Sequence, residues 1–160
     1  MRRLTYGLFI VLGAALLLAA CTSASHPSTS TTAKAATRLP ITTEVRHGLL
    51  DAAAAYHQLP VSDFTGLLAN QTYYAFDSRT NVYYAAAGLV ANPHSLQAEI
   101  GDQDDGAYNL FTRASGGGSW TVYNDGLGGA QDSTCPISIP SDVLAVWHWK
   151  VGGCYPPASE

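Results

Sequence analysis

The rhythm of apolar and polar residues changes three times along this 160-residue chain. Residues 4–18 are mostly apolar and follow Met1-Arg2-Arg3. Residues 22–40 hold nine Ser or Thr, four Ala, Pro27 and Pro40, with Leu39 as the sole large apolar side chain. That composition cannot bury a core and predicts a disordered spacer. As a random coil it would span about 25 Å. Over residues 42–59 the pattern becomes helical. Val45, Leu49, Ala52, Ala53 and Tyr56 form one apolar stripe, and Arg46, His47 and Asp51 fall off it. Thr42 or Thr43 can cap this helix, Glu44 suits its first turn, and Pro60 stops it. Residues 62–66 read as a short turn that points Phe64 and Leu67 inward.

From Thr72 the spacing predicts strands. Tyr73-Tyr74-Ala75-Phe76 is short and aromatic, and residues 77–81 carry turn chemistry before residues 82–87 return as its hairpin partner. Asn92-Pro93-His94 breaks the chain. Alternation of Leu96, Ala98 and Ile100 predicts a third strand over residues 96–103, and Asp105-Gly106 predicts a two-residue hairpin turn. A fourth strand over residues 107–113 puts Tyr108, Leu110 and Thr112 on one face and Asn109 and Phe111 on the other. Gly116-Gly117-Gly118 leads into a fifth strand at residues 119–124. After a Gly-rich loop, Ser141 and Asp142 open a last helix with Val143, Val146 and Trp147 on its stripe, ended by Gly152-Gly153. The expected fold is α+β: an antiparallel meander of about five strands, with an N-terminal and a C-terminal helix packed on one face and the other face solvated.

The opening stretch has a positive start, an apolar centre and then Leu18-Ala19-Ala20-Cys21. Its apolar part is about 15 residues, short of the roughly 20 that span a bilayer, so it reads as a secretory signal and not as an anchor helix. The four-residue ending resembles the lipobox of bacterial lipoproteins. The resemblance implies cleavage before Cys21 and lipid, palmitate included, on Cys21. It divides the chain into a signal peptide at 1–20, a lipidated tether at 21–40 and one domain at 41–160. By the same resemblance the protein is exported, held at the cell membrane by lipid and facing outward. The lipobox also implies a bacterial chain, so the glycosylation pattern Asn70-Gln71-Thr72 is set aside.

Charge then narrows the partners. With Arg2 and Arg3 removed, 6 basic residues face 12 acidic ones, a net of about −6. From Ile41 onward the basic side is only Arg46, Arg79, Arg113 and Lys150, leaving about −8. An acidic surface without basic clusters argues against nucleic acid and against lying flat on anionic lipid. Cys21 being taken by lipid, Cys135 and Cys154 are left for one disulfide, which an exported chain can keep. A zinc site would need three or four ligands, and only His148 lies nearby.

Candidate chemistry is sparse. Asp102, Asp104 and Asp105 offer carboxylate oxygens for calcium, but Gly106 falls at loop position five and no Glu closes the loop, so a solvated hairpin tip fits them better. Tyr73, Tyr74, Tyr83 and Tyr84 face one another across the first hairpin, as a stacking platform or as cross-strand packing. Trp147 and Trp149, about 200° apart on a helix, cannot both enter one narrow core stripe, so Trp149 either packs under the disulfide tail or is exposed. Tyr74, Tyr83, Trp147, Trp149 and His148 are therefore the candidate binding surface. There is no G-x-S-x-G motif, no cysteine left for catalysis, no phosphate loop and no motif that calls for a cofactor or a metal. Beyond the signal, segments such as Tyr73-Tyr74-Ala75-Phe76, Gln103-Asp104-Asp105-Gly106 and Val146-Trp147 resemble small exported bacterial domains of unknown function. The leading expectation is a lipid-anchored, non-enzymatic module that binds a protein or glycan of the envelope. Two others stand beside it: an envelope hydrolase pairing His148 with Asp102 or Asp104, and a structural surface protein without a specific ligand.

Overall fold

The structure, a computed structural model, describes residues 35–103, 108–124 and 135–157. The signal, Cys21, Asp104, Asp105 and the Asp105-Gly106 turn lie outside the described residues. Five strands, β1 (Ala36–Arg38), β2 (Phe64–Asp77), β3 (Val82–Ala91), β4 (Tyr108–Ala114) and β5 (Thr121–Tyr123), form one antiparallel sheet in the order β1-β2-β3-β4-β5. The described residues also form three α-helices, α1 (Thr43–Tyr56), α2 (Leu96–Gly101) and α3 (Ser141–Trp147), and a short 3-10 helix at Val61–Asp63. The architecture is α+β, with a sheet of sequence-adjacent strands.

The count of five strands agrees with expectation through two opposite departures. Residues 96–103 are not a strand; α2 occupies 96–101 and the helical backbone continues through 103. Leu96 and Ile100 stand four apart, a helical spacing as well as a strand one, and short runs do not separate the two periods. Ser95 decides the matter locally: its Oγ accepts from the Ala98 N–H at 3.3 Å, and Glu99 lies in the first turn. Only Ala98 is buried, while Leu96 and Ile100 are exposed. The compensating strand is β1, inside the stretch expected to be spacer. Ala36, Thr37 and Arg38 pair with Asp77, Phe76 and Ala75. The Ala35 carbonyl accepts from both the Ser78 N–H and its hydroxyl, at 2.8 and 2.9 Å. The domain therefore starts before Ile41. Ala36 is fully buried, so a residue of low apolar content still serves where a neighbouring helix lies close.

The expectation of both helices on one face is also corrected. Val45, Leu49, Ala53 and Ala54 of α1 pack with Tyr74, Ala85, Ala87 and Phe111. Val143, Leu144, Val146 and Trp147 of α3 pack with Ala36, Ala75, Tyr84, Ala86 and Leu110. Adjacent strand residues point to opposite faces, so α1 and α3 cover opposite faces of the sheet. The sequence reason is in β3: Ala85, Ala86 and Ala87 are all buried. A strand covered on both sides loses its polar alternation. Small alanines let both helices approach closely.

Local chemistry sets the remaining joints. Thr42 caps α1, its Oγ1 accepting from the Val45 N–H at 3.2 Å. The Asp77 carboxylate, buried at the β2–β3 turn, accepts from the Arg79 N–H (3.0 Å) and the Thr80 hydroxyl (2.9 Å), an Asx-type turn. β2 is much longer than the four-residue aromatic run that announced it. Its register slips between Leu67 and Thr72, where Asn70 has φ 63°, so turn-forming residues conceal a continuing strand. A side chain at Gly88 would collide with Leu68, which folds back over β3 from this irregularity.

Candidate functional site

The five residues proposed as a binding surface divide between the two faces of the sheet. On the α3 face, Trp147 and Trp149 are both buried, at 2% and 5% exposure. The helical separation that would drive them apart does not apply, because α3 ends at Trp147. His148 takes a left-handed conformation (φ 62°, ψ 32°) as its C-cap, and the Trp149 N–H bonds the Leu144 carbonyl at 2.9 Å. This folds Trp149 back against Trp147, with ring centroids 5.0 Å apart. Tyr73 meets Trp149 edge-on at 5.0 Å, and Tyr108 lies 6.1 Å away. Burial pushes the Tyr108 hydroxyl well above its usual range, and Tyr73 adds to the shift. Its O–H donates to the Gln71 carbonyl at 3.2 Å.

Cys135 and Cys154 are disulfide-bonded, with Cα atoms 5.4 Å apart, and Cys154 lies in the same cluster. The bridge ties the segment before α3 to the tail after it. This face is a closed core. Of the three candidates on this face His148 alone is exposed, beside a shallow recess of about 220 Å³ shared with Thr37 and Arg38.

The α1 face holds the other aromatic group, and it is built differently. Tyr74 lies opposite Ala85 and Tyr83 opposite Phe76 across the β2–β3 pair. The tyrosines thus meet diagonally, with Tyr74 and Tyr83 at 5.6 Å. Across β3–β4 the partner of Tyr83 is Arg113. The Arg113 guanidinium carbon sits 5.3 Å from the Tyr83 ring centroid and 4.6 Å from that of Trp120. Trp120 in turn meets Tyr74 edge-on at 5.9 Å. Arg113 is thus held by two rings, each contact worth about 0.5–1 kcal/mol. Its Nε is buried without a hydrogen-bond partner, a cost of about 1–3 kcal/mol. Among the described residues, Arg113 makes no ion pair; Arg79, by contrast, pairs with Asp142 at 3.1 Å.

Arg113 opens onto a recess of about 260 Å³. Leu39, Pro40 and Val45 give it apolar walls; Thr42, Glu44, Tyr74 and Arg113 supply polar groups. Burial raises the Tyr74 hydroxyl above its usual range, and the Arg113 charge and hydrogen bonding oppose that rise. Arg113 was not among the sequence candidates. Strand parity carried the signal, since residue 113 shares a face with Phe111 and stands in line with the tyrosines of the first hairpin.

Burial raises the Asp102 carboxyl above its usual range. The Ala91 backbone N–H and the charge of His57 act against this. Among the described residues, no group of three or more His, Cys, Asp or Glu side chains converges as a metal site. No helix among them is long and apolar enough to cross a membrane. Comparison with family models, with characterised proteins and with solved structures finds no match.

Proposed function

We propose that the chain is an exported lipoprotein, anchored through Cys21, whose domain serves as a non-enzymatic binding module of the cell envelope. The observation that supports export is the Cys135–Cys154 bridge. Disulfides persist in oxidising compartments, and this one leaves Cys21 as the chain's remaining cysteine. Cys21 ends Leu18-Ala19-Ala20-Cys21, the order that resembles a lipobox. The spacer from Cys21 runs into β1 at the edge of the sheet, so a lipid on Cys21 would hold the domain by its edge strand, at high local concentration near the membrane. The envelope partner is a protein or a glycan and not nucleic acid, given the acidic balance of the domain.

Expression of the full chain in a bacterial host, with mass spectrometry of the membrane fraction, tests this. The expected product starts at Cys21 and carries lipid there, and Cys21→Ala leaves the membrane fraction. A mature chain retaining Met1, or a Cys21→Ala chain that is still processed and membrane-bound, would refute the anchor.

A further inference from the structure

We propose that the recess at Arg113 binds a monocarboxylate with an apolar group beside it, of the kind a peptide C-terminus presents. This deepens the binding reading above and rests on it. Three features support it. The first is a cation in a fixed position: the Tyr83 and Trp120 rings hold the Arg113 guanidinium, and no carboxylate of the described residues neutralises it. A guanidinium fixed in this way presents paired N–H donors that match a carboxylate, and being preorganised it loses little freedom on binding. The second is the surrounding wall. Tyr74 adds a hydroxyl, while Leu39, Pro40 and Val45 make the remainder apolar. The volume, about 260 Å³, lies below the range of drug-sized pockets and suits one or two residues at a chain end. The third is charge. Arg113 is the one arginine lining the recess, with Glu44 also in its lining and an acidic domain around it, a field that disfavours a doubly charged phosphate and tolerates a single negative charge.

The test is calorimetric titration of the full chain in detergent with N-acetyl-leucine, N-acetyl-leucinamide and inorganic phosphate. N-acetyl-leucine is expected to bind with a Kd near 1 mM, and the amide and phosphate at least tenfold more weakly. Arg113→Gln is expected to weaken N-acetyl-leucine about tenfold or more. Glu44→Gln, at an exposed position where folding is not at risk, is expected to tighten it about two- to fivefold. Equal binding of acid and amide, preference for phosphate, absence of binding by either acyl-leucine, or indifference to Glu44→Gln would each overturn the proposal. The titration does not depend on the lipid at Cys21, so its failure is separate from failure of the anchor.

Discussion

Each face of the sheet carries an aromatic cluster, and the two clusters differ in what lies at their centre. On the α3 face Trp147, Trp149, Tyr73 and Tyr108 pack on one another and on the disulfide, and none of these four rings lines the recess beside His148. On the α1 face Tyr74, Tyr83 and Trp120 surround a guanidinium instead, and a recess stays open beside it. The residue types are alike, so aromatic content does not distinguish a core from a site. One charged residue at an inward strand position does. The difference also separates stability from recognition: the first cluster buries Trp147 and Trp149 against the disulfide tail, while the second holds a guanidinium beside a recess.

The largest effect expected from this contrast is on the closed side. Trp147→Ala removes the largest fully buried side chain and should cost about 3–5 kcal/mol, read as a lower denaturation midpoint. A cost under about 1 kcal/mol would mean that this face is not the core. Next, Cys135→Ala with Cys154→Ala opens a loop of sequence separation 19 and should cost about 3 kcal/mol; chemical denaturation of the oxidised and mutant chains checks it.

Arg113→Met on the open side should change stability by no more than about 1 kcal/mol. The two lost ring contacts, about 0.5–1 kcal/mol each, are offset by removal of an orphaned buried donor worth about 1–3 kcal/mol. A loss as large as that of Trp147→Ala would make Arg113 a structural residue and erase the contrast. The smallest effect concerns Asp102. Its folded-state carboxyl titrates above its ordinary value of 3.8, so the folded chain holds a proton that the unfolded chain releases. Stability from this group is therefore full below 3.8 and falls as pH rises through the raised value. Asp102→Asn should flatten that part of the stability–pH curve.

Much of the fold was legible where one signal dominated. Thr42 and Glu44 marked the start of α1, the Asp77 turn followed from its residue types, and β4 alternated as expected. Residues 96–100 were not legible because an apolar pair four apart fits two periods, and the choice lay in the Ser95 cap. β1 was hidden because a three-residue edge strand needs little apolar content once Ala36 is covered. The run Ala85-Ala86-Ala87 did carry the second covered face, but alanine is weakly apolar and signals burial poorly.

Of the site, the sequence picked out Tyr74 and Tyr83 and missed Arg113, which matters only through its position opposite Tyr83. Trp147 and Trp149 looked like surface candidates because the end of α3 at His148 depends on one left-handed residue that no spacing rule marks.

The two aromatic clusters do different work, and the tryptophan indoles report on it directly. Proton–nitrogen spectra of the full chain in detergent, titrated with N-acetyl-leucine, separate the three indole N–H signals. Trp120 is expected to shift, together with the Arg113 Nε–H, while Trp147 and Trp149 stay in place. Shifts at Trp147 or Trp149, or an unmoved Trp120 at saturation, would contradict it.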